Sequence, residues 1–353
     1  MLKHWLRRIS GTDVVMGLIG LALVALIVWG TFATWRTGKY TLAQWQDLVV
    51  FGLAQGSIYA LIALGYTLVY GLLRMINFAH SEVFMSGPFT ALFVANALQN
   101  SGFLERQPIV GLVIVAIVSM LVSMIVALLL ERIAYRPLRK APRLVPLITA
   151  IGASFFLQYT FRGLYGSGVE RYPQLAILKG EWNVAGIGVL KTQAVVIVAA
   201  VLLMSGLYAL VMLSKTGKAM RAVSEDKDTA ALMGIDVDAI IVRTFAIGGA
   251  LAGAAGFLYA LIFGQVQFYM GFVPGIKAFT AAVLGGIGNV PGAMVGGLFL
   301  GVFESVGPSL FLEGLHIPAP YQLKDAIAFT LLVFILIFRP SGILGERLAT
   351  KKA

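Results

Sequence analysis

The sequence predicts an all-α, polytopic membrane protein of about ten transmembrane segments. Three observations carry that expectation. Apolar windows long enough to cross a bilayer core of roughly 30 Å recur along nearly the whole chain. The 353 residues are 59% hydrophobic and only 12% charged, about half the charged share of a water-soluble domain. The net charge of +11 sits in basic clusters at segment ends and not on one soluble domain, which points to membrane topology over nucleic-acid binding.

Taken in order, Lys3, Arg7 and Arg8 precede the first segment, Val14–Phe32. It reads as a retained anchor in preference to a signal peptide, because it exceeds the ~7–15 apolar residues of a signal core. Leu48–Leu73, Val83–Leu98, Ile109–Leu130 and Leu144–Phe161 follow, with Arg132, Arg136, Arg139, Lys140 and Arg143 crowded between the last two. A mixed-charge external loop, Arg162 to Gln193, leads to Gln193–Leu213. A charged central loop then opens onto Ile241–Phe263, Ile276–Ile287, Ala293–Val306 and Leu323–Phe338. If each crosses once, the central loop, the other basic clusters and both termini share the cytoplasmic face, as the positive-inside rule requires. A dip and return at Ile276–Ile287 would instead put the basic tail (Arg339, Arg347, Lys351, Lys352) outside, so a crossing is expected there. The expected division is an N-terminal region 1–47 holding the anchor, a main membrane body 48–344 with a central loop 214–240, and a basic cytoplasmic tail 345–353.

Glycines four apart, Gly249–Gly253, Gly288–Gly292–Gly296 and Gly297–Gly301, read as close helix packing, the interaction that lipid favours. Tyr59-Ala60-Leu61-Ile62 recurs as Tyr259-Ala260-Leu261-Ile262 on segments expected to run in opposite directions. The echo fits an inverted five-plus-five repeat, or a chance match of four apolar residues.

The longest charged run, Lys215 to Arg243, lies between two apolar segments. Within it Glu225, Asp226 and Asp228 form an acidic first turn, Thr229 to Met233 a short helix around Ala230, and Gly234 its stop. A soluble helical patch on a membrane protein is read here as the handle through which a partner protein moves the spans. Lys215, Lys218 and Arg221 read as anchors to anionic headgroups.

Asn77, His80 and Glu82 gather between two apolar segments with hardly any loop. They are read either as wet surface groups, with Asn77 capping the next helix, as a hydrogen-bonded cluster, or as the lining of a solute path. The Gly285-Gly286-Ile287-Gly288-Asn289 stretch is a helix break, and such backbone at membrane depth must face protein or a water-lined path. Gly285, Gly286 and Asn289 therefore join the candidate pathway. Lys277 and Glu304 either snorkel to the interface, the preferred reading, or line a cavity, and Lys324-Asp325 is expected to pair at a span boundary.

Chemistry of its own is not expected of this chain. Three histidines, His4, His80 and His316, lack ligand spacing, so no metal is expected. Zero cysteines exclude thiolate chemistry, and no phosphate-cradling G-x-x-x-x-G-K-[ST], G-x-S-x-G or H-E-x-x-H pattern occurs. No catalytic residue or cofactor is expected, and an active pump would need its ATPase on another polypeptide.

Several stretches together resemble the permease subunits of branched-chain amino-acid ABC importers. They are Gly56 to Gly71 (GSIYALIALGYTLVYG), Ile76-Asn77-Phe78-Ala79-His80, Met220-Arg221-Ala222-Val223 with Ala230 to Gly234, Ala278 to Ala293 (AFTAAVLGGIGNVPGA) and Phe338-Arg339-Pro340-Ser341-Gly342. The resemblance implies a type II importer-like fold in the bacterial inner membrane. It also implies a second, similar permease, two ATPase subunits that bind the ATP, and a periplasmic or lipid-tethered binding protein. The coupling segment it implies falls on Met220 to Gly234 and so takes in Arg221. Ser81 stands where the family usually has glycine, and the leading segment Val14–Phe32 is often absent from it. Urea or short-chain amide import, and an ATPase-independent channel or carrier, are the alternatives. An intramembrane enzyme lacks a paired acid and base.

Overall fold

The computed structural model describes residues 11–139, 141–142, 144–184, 186–339 and 341–345. Lys3, Arg7, Arg8, Lys140, Arg143, Arg347, Lys351 and Lys352, named above as topological signals, lie outside them, as does all but the first residue of the tail 345–353.

The chain folds almost entirely into helices: α1 (Gly11–Thr37), α2 (Leu42–Leu73), α3 (His80–Asn100), α4 (Pro108–Leu130), α5 (Leu144–Tyr165) and α6 (Lys191–Leu213). Two short helices, α7 (Lys215–Glu225) and α8 (Lys227–Leu232), lead to α9 (Val237–Phe263), α10 (Phe272–Gly285), α11 (Val290–Gly307) and α12 (Lys324–Phe338). Among the described residues, eight helices are long and apolar enough to cross a membrane. The expected ten are therefore not all present as full spans. The segment expected at Ile276–Ile287 is α10, whose 14 residues reach only about 21 Å. The segment expected at Val83–Leu98 is α3, which carries buried His80, Ser81, Glu82 and Ser86 in place of a lipid-facing apolar surface.

Helix α2 is the axis of the fold, buried almost continuously from Gly52 to Leu72. A capping box between Thr41 and Gln44 starts it, and a left-handed Arg74 ends it. Its main neighbour, α11, meets it through small residues running in opposite directions: Gly52 lies on Val302, Gly56 on Gly297 and Leu298, and Gly301 on Gly56. The same device joins α9 to α4, where Gly249 and Gly253 sit on the Ser119–Ala127 face, and Ser119 Oγ donates to the Gly253 carbonyl at 2.7 Å. Backbones this close gain van der Waals contact and interhelical hydrogen bonds, which replace the hydrophobic drive that lipid removes. A Cβ on Gly297 would stand 2.4 Å from the Ala60 backbone. Gly297→Val should therefore cost at least about 1–3 kcal/mol and lower the thermal midpoint of the purified protein. Gly152→Val, where a Cβ meets nothing within 4 Å, should leave it unchanged.

Both helices that carry the Tyr-Ala-Leu-Ile echo are followed by a chain that turns back into the protein. After α2 the next helix begins with His80 against Gly65, roughly two turns back from the end of α2. After α9 the next begins with Gly271 and Gly275 against Ser81.

The external loop holds more structure than its composition suggested. It contains a hairpin, β2 (Glu181–Val184) with β3 (Ile187–Leu190), preceded by β1 (Glu170–Arg171). β1 pairs with β4 (Gln265–Val266), placing the ends of α5 and α9 on one face. On that face α1 docks through Gly30, packed on the Phe311 carbonyl, while Lys39 and Tyr40 bond Glu313.

Candidate functional site

The charged central loop folds as a cap over the ends of several spans. Ser214 Oγ caps α7 by accepting from Gly217 N at 2.9 Å. Gly217 lies so close to the Leu210 and Val211 carbonyls that a Cβ would meet them at 2.2–2.3 Å. Met220 and Val223 face inward. Asp226 Oδ1 accepts from Asp228 N and Thr229 N at 2.9 and 3.0 Å and so caps α8. Those bonds hold its carboxyl below the usual carboxylate range. Gly234, at φ 82°, makes the left-handed stop.

Around this cap the basic loops converge. Arg74 donates to the Ser224 carbonyl at 3.1 Å, and Arg136 and Arg139 both bond Asp238 at the start of α9. The Lys227 ammonium is drawn below its ordinary range by partial burial and then by the positive charges of Arg139 and Arg74. Arg74, Arg136 and Arg139, expected on one face with the central loop, thus meet at it.

Within the handle the named residues divide. Glu225, Asp226, Asp228, Met233 and Gly234 are exposed, whereas Ala230 is buried and seats the helix. Arg221 turns back to donate to the Val211 carbonyl of α6, tying the root of the handle to that helix. Leu232 and Met233, 87% and 78% exposed, project from the tip of α8. Leu232 was not among the sequence candidates. The signal for it was an apolar pair closing a short polar helix that has no core to enter.

Asn77, His80 and Glu82 are buried, which removes the reading of wet surface groups. Nor does Asn77 cap α3; the cap position is Ala79, and Asn77 Oδ1 accepts from the Tyr135 hydroxyl. The π-helical turn Glu131–Tyr135 that continues α4 delivers that tyrosine inward. His80 packs into the space left by Gly65, with its ring edge toward Tyr66. Glu82 Oε1 accepts from Gln158 at 2.9 Å and from Ser81 and Ser154 at 3.2 Å, tying α3 to the loosely packed α5. Beside Ser81 and Ser154 opens a cavity of about 150 Å³, also walled by Tyr66, Phe78, Phe155 and Phe272.

Gly285, Gly286 and Asn289 lie elsewhere, in the tight turn from α10 to α11. Gly285 packs on Gly292, and Gly286 on Ser341 and Gly345. Asn289 caps α11 and donates Nδ2 to the Leu344 carbonyl at 2.8 Å. The turn is thus clamped by the chain beyond α12 and does not line the cavity.

The expected snorkelling of Lys277 and Glu304 is corrected by their burial, at 2% and 1% exposure. Lys277 Nζ lies 2.6 Å from Glu304 Oε1 and 2.6 Å from Asp325 Oδ1, so Asp325 faces Lys277 and not Lys324. Gln55 joins from α2, its Nε2 2.6 Å from the Tyr59 hydroxyl and 3.4 Å from Glu304. A helix of about 21 Å is too short to cross a core of roughly 30 Å, and its lysine finds carboxylates inside the bundle.

The chain matches, over residues 48–336, the family described as the permease component of branched-chain amino acid transport systems. It is 44% identical over 301 residues to the high-affinity branched-chain amino acid transport system permease protein BraD of Pseudomonas aeruginosa, covering 84% of this chain and 95% of that protein. It is 41% identical over 305 residues to the corresponding protein LivH of Escherichia coli K12, covering 84% of this chain and 94% of that one.

Proposed function

This chain belongs to the permease component family of branched-chain amino acid transport systems, and from that premise we propose that it carries leucine, isoleucine and valine across the bacterial inner membrane as one permease of an ABC importer. The observation that carries this reading is the near full-length likeness to BraD and LivH. It works as a transport subunit and not as an enzyme. ATP binds and is hydrolysed on two separate ATPase chains. A second, similar permease completes the translocation path, and a periplasmic or lipid-anchored binding protein delivers the solute.

In the mechanism we favour, closure of the ATPases moves the docked α8 and tips the attached spans between outward and inward openings. ATP drives the change only by binding the two states differently. Because α7 is bonded to the end of α6, and Arg74 ties the end of α2 to Ser224 of α7, a push on α8 reaches two spans through α7. The path itself runs past Asn77, His80 and Glu82. Gly285, Gly286 and Asn289 act at its inner end, as the turn that the C-terminal segment holds.

The test is ATP-dependent uptake by proteoliposomes holding the complete importer. Leucine, isoleucine and valine should accumulate. Accumulation of urea alone would replace the amino-acid assignment with the amide alternative, and uptake without any ATPase would replace it with a carrier. In the same assay Gly234→Pro and Glu225→Lys should each uncouple ATP hydrolysis from uptake while the permease still inserts. Proline at φ 82° forces the stop of α8 to rebuild. Full uptake in both variants would count against the handle.

A further inference from the structure

The cavity beside Ser81 and Ser154 has the chemistry of a zwitterion site. We propose that it receives an aliphatic amino acid in transit, with the α-ammonium held by Ser81, Ser154 and the Glu82 carboxylate behind them and the side chain lodged against Ile151 and Ile276. This deepens the importer reading and rests on it.

Size comes first. About 150 Å³ holds about five waters at ~30 Å³ each, the scale of one free amino acid and too small for a peptide. The sign of charge comes next. Glu82 does not itself line the cavity but lies fully buried behind Ser81 and Ser154: Oε1 accepts from Gln158 and Ser154 and shares the Ser81 hydroxyl with the Phe78 carbonyl, and Oε2 has no partner among the described residues. A buried carboxylate with spare acceptor capacity favours an ammonium, whose three N–H groups the two serine oxygens can also accept. The Ser154 hydroxyl, by donating to Glu82, leaves its lone pairs for that role.

The α-carboxylate has a complementary place. The first turns of α3 and α10 meet at Ser81, where Gly271 and Gly275 pack so closely that a Cβ on either would come within 2.3 Å of it. Two helix N-termini converging inside a bundle place positive partial charge there, although most of their first-turn N–H groups are already paired, as His80 N is with the Asn77 carbonyl and Phe272 N with that of Tyr269. Apart from Tyr66, the remaining wall is apolar. Phe78, Phe155, Phe272, Ile151 and Ile276 accept a branched hydrocarbon. Contact on three sides by one carboxylate, two hydroxyls and aliphatic surface also keeps the site weak enough to release what it admits.

The absence of cysteine from this chain permits a clean test. Ile151→Cys and Ile276→Cys, which line the cavity from α5 and α10, are alkylated in the complete importer in proteoliposomes, with solute added to both faces and the label read on this chain by mass. Leucine should slow modification several-fold at both positions. 3-Methylbutylamine, which keeps the ammonium, should protect in part, whereas 4-methylpentanoate, which lacks it, should not. Glu82→Gln should abolish the protection by leucine, and Glu82→Asp should retain part of it. The comparison of the three solutes needs no change at Glu82 and stands even if that variant fails to fold. Equal protection by 4-methylpentanoate and leucine would overturn the ammonium assignment. Unchanged labelling in a preparation that transports leucine would overturn the site and leave the importer reading intact. A preparation that does not transport leucine removes both.

Discussion

Lys277→Met is expected to destabilise the folded permease by about 3–5 kcal/mol, because it leaves the buried Glu304 carboxylate without a counter-charge. The site is low in dielectric and the glutamate cannot swing to water, being held on α11 where that helix packs along α2. Asp325, whose side chain is 43% exposed, loses less, since solvent still reaches it. The decisive comparison is the double variant Lys277→Met with Glu304→Gln. It removes both charges while keeping the shape and the hydrogen-bonding capacity toward Gln55, so most of the lost stability should return. Thermal unfolding of the four members of that cycle gives the coupling directly. Additive losses would show that the pair is not a unit and that its burial has another cause.

Leu232→Asp and Met233→Asp should behave in the opposite way, abolishing transport while sparing the fold. Both side chains are largely exposed, so either change should stay within about 0.5 kcal/mol in stability. A large apolar side chain projecting from a short capped helix fits an anchor that fills a partner's pocket. Losing such an anchor costs about 2 kcal/mol or more, or about 30-fold in docking affinity. Uptake should collapse, and the loaded binding protein should no longer stimulate ATP hydrolysis, whereas the thermal midpoint should match that of the unaltered chain. Wild-type uptake in both variants would show that the ATPase docks elsewhere.

These two experiments bear on features that the sequence reveals to different degrees. The handle was legible because its signals are local: an aspartate at the cap, good helix formers around Ala230 and a glycine at the left-handed stop. Close packing at Gly249–Gly253 and Gly297–Gly301 was legible for the same reason, since spacing along one helix decides which residues share a face. The Lys277–Glu304–Asp325 cluster was not, because its members come from three helices and hydropathy cannot tell a lysine near an interface from one paired inside. The shortness of α10 was legible, since the expected segment Ile276–Ile287 is itself short; the burial of its lysine was not. At Glu82 composition marked a functional suspect, but Ser154 and Gln158, one turn apart on α5, became its partners only through folding.

The account depends most on α8 being the cytoplasmic handle, and a Met233→Cys variant tests this directly. In the complete importer in right-side-out membrane vesicles, a short bifunctional thiol cross-linker that crosses the bilayer should join residue 233 to an ATPase chain, while a reagent unable to cross should leave the thiol unmodified. Modification by the impermeant reagent, or cross-linking to the binding protein, would place the handle on the outer face and contradict the account.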